Sequence, residues 1–66
     1  MKNTIKVQRA ILDLTQDDLA KKIGVSRQTI NSIEKNRYVP STVLALKLSD
    51  VFKLPVNDFF TLEEDD

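Results

Sequence analysis

Apolar residues recur three and four positions apart along most of this chain, the spacing that gives a helix one inward stripe. The first stripe runs from about Thr4 to Asp13, with Ile5, Arg9 and Leu12 on one face and Ile11 beside them. An arginine on that stripe needs a partner. The second opens at Thr15, whose hydroxyl can cap the free amides of the first turn, and Asp18 three residues on completes a shortened capping box. Leu19, Ala20 and Ile23 form its inward stripe, and Gly24 supplies the left-handed residue that ends many helices. Ser26 is the next N-cap, ahead of a stretch in which only Ile30 and Ile33 are apolar. Asn36 to Pro40 reads as a loop. Ser41 then caps a fourth helix that places Leu44, Leu48, Val51 and Phe52 together, and a fifth short helix is expected from about Val56 to Leu62.

The third segment is unusual in its outer face. Beside Gln28, the residues Thr29, Asn31 and Ser32 are mediocre helix formers, where a helix held by propensity alone favours Ala, Leu, Glu and Lys. Their presence points to a purpose other than stability.

Length and composition narrow the classes. Sixty-six residues support one core, not two. With no cysteine and no histidine there is no disulfide framework, thiol nucleophile, imidazole base or Cys/His metal site. One glycine leaves no Gly-rich phosphate loop, and two prolines with few turn formers argue against a multi-hairpin β fold. No apolar run approaches the length of a membrane span, and Met1 to Arg9 lacks the apolar region of a signal peptide, so a cytoplasmic location is expected.

A formal charge of zero conceals an asymmetry. Through Lys53 the chain carries ten Lys/Arg against five Asp/Glu, and the remaining five carboxylates, Asp58, Glu63, Glu64, Asp65 and Asp66, follow with no cation among them. The cationic density is highest between Lys21 and Arg37, where Lys21, Lys22, Arg27, Lys35 and Arg37 face only Glu34. Such a body suits an anionic partner, although a solvated helix surface would look the same. Glu63 to Asp66 reads as a solvated acidic tail following a domain of residues 1–62.

Two short helices joined through Gly24, the second polar outside, form the arrangement that lays a helix in a major groove. Ala20 must be small where the helices cross, Gly24 permits the turn, and Ile30 and Ile33 pin the second helix to the first. Leu14-Thr15-Gln16-Asp17-Asp18-Leu19-Ala20 followed by Ile23-Gly24-Val25-Ser26-Arg27-Gln28-Thr29-Ile30 resembles the lambda repressor/Cro-like (Xre) family of DNA-binding domains. The likeness continues through Ile33-Glu34, Pro40-Ser41, Ala45-Leu46-Lys47-Leu48 and Asp58-Phe59-Phe60. It implies an all-α, compact five-helix domain that binds operator DNA as a homodimer.

Carried over by position, the resemblance assigns roles. Arg27 and Gln28 fall in the first turn of the recognition helix, about 26–34, where side chains reach base edges, Arg27 toward guanine and Gln28 toward adenine. Arg27 on a phosphate is the competing assignment. Asn31 and Ser32, one turn later, complete the base-reading set. Gln16, Thr29, Lys35, Asn36 and Arg37 are expected on the sugar-phosphate backbone, Gln16 because it opens a helix whose dipole attracts the anion. Arg9 and Glu34 occupy positions that in related domains form a buried ion pair. Asp13 and Lys53 depart from the pattern, standing where many relatives have a helix-ending glycine, and Pro55 replaces a typical serine cap. Lys21 and Lys22 are accounted for by the helix dipole. Of Phe59, Phe60 and Leu62, one is expected to plug the core and another to meet a second subunit.

The expectation is thus a sequence-specific DNA-binding transcriptional regulator, a repressor by preference, that needs no cofactor and no metal and has no small-molecule ligand or membrane association. An antitoxin or the controller of a restriction system fits the same class. A protein-interaction module independent of specific DNA is the alternative from another class. An enzyme would rest only on carboxylates such as Asp17 and Asp18, which the helix N-terminus already explains.

Overall fold

The computed structural model describes residues 1–66. Four α-helices, α1 (Ile5–Ile11), α2 (Gln16–Ile23), α3 (Arg27–Glu34) and α4 (Thr42–Phe52), enclose one core, and a two-residue antiparallel ladder, β1 (Lys2–Asn3) with β2 (Phe60–Thr61), ties the two ends of the chain. The ladder pairs Lys2 with Thr61 and Asn3 with Phe60.

The helix starts follow the hydroxyl caps. Thr15 accepts from the Asp18 amide at 3.0 Å while Asp18 accepts from the Thr15 amide at 3.0 Å, a reciprocal capping box. Ser26 and Ser41 accept from Thr29 and Leu44, each at 3.2 Å. α1 differs, because Thr4 makes no side-chain cap. Asn3 replaces it, accepting from the Ile5 amide at 3.2 Å and donating to the Ile33 carbonyl at 2.9 Å and to Asn36 Oδ1 at 3.0 Å. The start of α1 is thereby stitched to the end of α3.

All four helices end on a left-handed residue followed by an amide that reaches back five positions: Leu14 to Arg9, Val25 to Ala20, Arg37 to Ser32 and Leu54 to Ser49. Only Gly24 is suited to that conformation without a steric penalty; Asp13 (φ 57°), Asn36 (φ 59°) and Lys53 (φ 58°) adopt it with a side chain. The departures at Asp13 and Lys53 therefore change the residue and keep the turn.

Eleven apolar residues form the core: Ile5, Leu19, Ala20, Ile23, Ile30, Ile33, Leu44, Leu48, Phe52, Phe59 and Phe60. Phe52 meets Phe59 edge to face, with ring centroids 5.1 Å apart at 87°. α1 contributes only Ile5. Leu12 and Ile11 do not share the buried stripe expected of them, at 44% and 70% exposed. The helix stops at Ile11, so Leu12 lies at its cap and the chain turns away at Asp13.

The expected fifth helix is corrected as well. Val56–Asp58 form a single 3₁₀ turn after Pro55, and the chain then extends as β2. A β-branched Val56, the turn-forming Asn57 and Asp58, and two adjacent aromatics favour that outcome over a helix. Extension lets both phenylalanines enter the core, each under 10% exposed, while the Phe59 carbonyl accepts from Thr4 at 3.0 Å. Leu62 stays 77% exposed. The acidic end is exposed and closes a turn: the Glu63 amide donates to Asp66, and the Met1 ammonium lies 3.1 Å from Glu63 and 3.0 Å from Asp66.

Two outcomes are expected. Lys53→Gly relieves the left-handed strain and raises stability by about 1 kcal/mol, read as a rise of about 4 to 8 °C in Tm. Separately, the Thr15 amide, and after it the Thr15 hydroxyl, hold the Asp18 carboxyl below its ordinary value of 3.8. A depressed carboxyl stabilises the fold above its ordinary value, and the contribution is lost as pH falls from there through the lowered folded-state value. The stability difference between the wild type and Asp18→Asn in urea titrations should therefore be full near neutrality and shrink below about pH 4.

Candidate nucleic-acid interface

α2 and α3 pack on each other through Leu19, Ala20 and Ile23 on one side and Ile30 and Ile33 on the other. The turn between them is three residues, Gly24-Val25-Ser26. Gly24 takes φ 73°, ψ 35°, and the Val25 amide donates to the Ala20 carbonyl at 3.0 Å. A Cβ at Gly24 would meet nothing within 4 Å, so the requirement there is conformational and not spatial. With Ile30 and Ile33 buried, the opposite side of α3 is directed outward.

That outer side divides into two groups. Arg27 and Gln28 are exposed, and neither forms an ion pair or side-chain hydrogen bond within the chain. Lys35 and Arg37, just past the helix, are equally exposed and unpaired. Gln28, Ser32, Arg37 and Tyr38 line a shallow depression beside α3. The second group is engaged internally. Thr29 Oγ1 lies 3.0 Å from Ser26 Oγ in the N-cap, Asn36 ends the helix and accepts from Asn3, and Asn31 accepts from Gln16 at 3.3 Å.

Gln16 belongs to a network built around Arg9 and Glu34. Arg9 Nε donates to Glu34 Oε2 at 2.6 Å and its Nη2 to Oε1 at 3.2 Å, while Nη1 donates to the Leu14 carbonyl at 2.9 Å. The two side chains are 13% and 8% exposed. Gln16 Nε2 donates to the same Glu34 Oε1 at 3.1 Å. The Arg9–Glu34 pair thus joins α1, the turn before α2, the first residue of α2 and the last of α3. Around it Asn3, Lys6 and Lys35 complete a concavity without apolar lining.

Of the acidic residues near this face, Asp18 caps α2 and Asp17 lies 3.3 Å from Lys21, while Asp13 shares a depression with Arg27 without pairing to it. Arg27, Lys35, Arg37 and Lys6 have no ion-pair partner, so cationic groups outnumber free carboxylates around α3. Lys6 and Tyr38 were not singled out in the sequence: Lys6 lies far along the chain from the cationic run it joins, and nothing around Tyr38 marks it. Asn3 precedes a helix at the spacing of an Asx turn, which is a local signal, but its bonds to α3 have none.

Two crossed helices around a left-handed glycine, with a polar second helix facing solvent, define a helix-turn-helix fold. The chain belongs to the helix-turn-helix family of lambda repressor-like (Xre) regulators, whose model matches residues 5–59. It is 53% identical over its whole length to an uncharacterized HTH-type transcriptional regulator of Methanocaldococcus jannaschii, all of which it covers. It is 46% identical to another from Bacillus subtilis, with 98% of each chain covered. The ImmF control region 10 kDa protein of Bacillus phage phi105 is 36% identical over 80% of this chain and 59% of its own. Among solved structures, the SOS-response transcriptional repressor LexA of Eubacterium rectale superposes with a TM-score of 0.79 at 29% identity. That match spans 94% of this chain and 66% of the LexA chain. No helix here is long and apolar enough to cross a membrane.

Arg9→Met should leave Glu34 without its cation and destabilise the fold by about 3 to 5 kcal/mol, comparable with the whole stability of a domain this small. Combining it with Glu34→Leu should recover much of the loss in urea denaturation, because no buried charge is then left unpaired.

Proposed function

We propose that this protein is a sequence-specific DNA-binding transcriptional repressor that places α3 in the major groove of its operator and acts as a homodimer in the cytoplasm. The observation that carries the reading is the outward face of α3, where long polar and cationic side chains stand exposed and unpaired beside a rigidly crossed support helix. Arg27 and Gln28 in the first turn meet base edges, with Asn31 and Ser32 one turn further on. Lys35 and Arg37 lie on the flanking phosphates and set register, as Gln16, Thr29 and Asn36 do from the ends of the helices. The names of the relatives support a regulator, and the LexA neighbour is named a transcriptional repressor. The function asks for no catalysis and no cofactor.

A second copy has a place to sit. Val39 and Leu46, 66% and 59% exposed, flank an apolar depression with Pro40, Ala45 and Val56, and Val43 on the same helix is 63% exposed. Two copies joined there would address half-sites about one duplex turn, roughly 34 Å, apart. The same apolar patch is what a module that binds another protein, independent of DNA sequence, would use.

Selection from a random duplex pool at near-physiological salt, with the solution mass measured in parallel, separates these readings. An enriched inverted repeat with a dimeric mass is expected; retention without sequence enrichment would favour the protein-interaction module. Given an operator, Gln28→Ala should weaken binding by about 1 to 3 kcal/mol and relax preference at one position. Arg37→Ala should weaken all sequences alike and lower the salt slope by about one. A uniform effect from Gln28→Ala would contradict its assignment.

A further inference from the structure

The network around Glu34 has a direction. A guanidinium can only donate hydrogen bonds and a carboxylate can only accept them. Arg9 therefore gives and Glu34 receives, at 2.6 and 3.2 Å. The Gln16 atom facing Glu34 Oε1 at 3.1 Å must carry hydrogen, so it is the amide nitrogen. That same nitrogen lies 3.3 Å from the Asn31 side chain, and the Asn31 atom opposite it must accept, so it is Oδ1. The alternation ends there. Asn31 has its oxygen turned toward Gln16 and its amino group without a partner in the protein, on the half-buried outer side of α3.

This polarity bears on base recognition. A freely rotating asparagine pairs with adenine by accepting from N6 and donating to N7, which uses both ends of the carboxamide. With its oxygen drawn toward Gln16, Asn31 presents hydrogens. Guanine offers two neighbouring acceptors, N7 and O6, on its major-groove edge, whereas cytosine offers a donor there. We propose that Gln16 is a positioning residue for base recognition: it turns the Asn31 oxygen inward, so that Asn31 enters the major groove as a hydrogen-bond donor and selects guanine. The inference rests on α3 being the recognition helix, and it assigns Gln16 a part in specificity in addition to any phosphate contact.

The two roles separate in one experiment. The full chain, Asn31→Ala, Gln16→Ala and Gln16→Lys are each passed through selection from a random duplex pool, and base frequencies are compared position by position. Asn31→Ala identifies the position that Asn31 reads, where guanine preference should fall by roughly tenfold. Gln16→Ala should lower guanine preference at that same position and leave the others unchanged, in addition to any common loss of affinity. Gln16→Lys, whose ammonium can donate to both Glu34 and Asn31, should retain it. Alanine is the best helix former, so the first turn of α2 tolerates the truncation; thermal melts establish that both variants fold, and if Gln16→Ala does not, Gln16→Ser replaces it. A uniform weakening by Gln16→Ala with wild-type base frequencies would overturn the proposal and leave Gln16 a phosphate contact. So would a wild-type preference for any base other than guanine at the Asn31 position, or loss of guanine preference in Gln16→Lys. If the wild type itself enriches no sequence, the recognition-helix reading falls first.

Discussion

The orientation of α3 depends on one ion pair. Apolar packing sets how closely the helices cross, with Ala20 at the contact. The eleven core residues carry no polar group, so no directional bond within the core holds α3. The fork of Arg9 on Glu34 does. It joins the last turn of α1 to the last residue of α3, and the third guanidinium contact holds the Leu14 carbonyl just ahead of α2. The outward face of α3 is therefore fixed from its C-terminal end by a planar, two-point contact, and from its N-terminal end by the Ser26 cap and the Gly24 turn. Asn3 adds a third point where α3 ends.

The parts of this fold that were legible in the sequence are those with a local physical cause. Thr15, Ser26 and Ser41 mark helix starts because an unpaired amide needs an acceptor within three residues, and the structure uses each one. Gly24 marks an end for the same local reason. Asp13 and Lys53 show the limit of composition, since the turn persists with residues that are poorly suited to it. The backward hydrogen bonds of Leu14 and Leu54 and the burial of the neighbouring helices determine those turns. A seven-residue α1 leaves its period ambiguous, which is why Ile11 and Leu12 looked inward. The last segment could be read as helix or extended chain, and the tie was broken by β1 and by the two pockets that Phe59 and Phe60 fill. Those are contacts across more than fifty positions, and no window along the chain contains them.

The candidate site was legible to the same degree. The polar face of α3 follows from spacing, and the likeness to lambda repressor-like domains supplied positions for Arg27, Gln28 and Arg9 with Glu34. What spacing could not provide was the division of that face into committed and free side chains. Thr29, Asn31 and Asn36 are held by Ser26, Gln16 and Asn3, across separations from three to thirty-three residues. Arg27, Gln28, Lys35 and Arg37 are left unheld.

That division has a consequence for recognition. A long side chain that must be ordered on binding costs about 0.5 to 1.5 kcal/mol, so on the proposed reading the free cations would add affinity at the expense of order and adapt to whichever phosphate or base lay near. A carboxamide already fixed by its neighbours loses little on binding and cannot adapt. It therefore discriminates, because a wrong base edge leaves its hydrogens facing other hydrogens, an error that a rotatable side chain would avoid. In a domain with a small apolar core, the ion pair that holds α3 to α1 is also the group that fixes this polarity. On the proposed reading, stability and base discrimination are coupled through Glu34: whatever loosens the carboxylate loosens both the hold on α3 and the direction of Asn31.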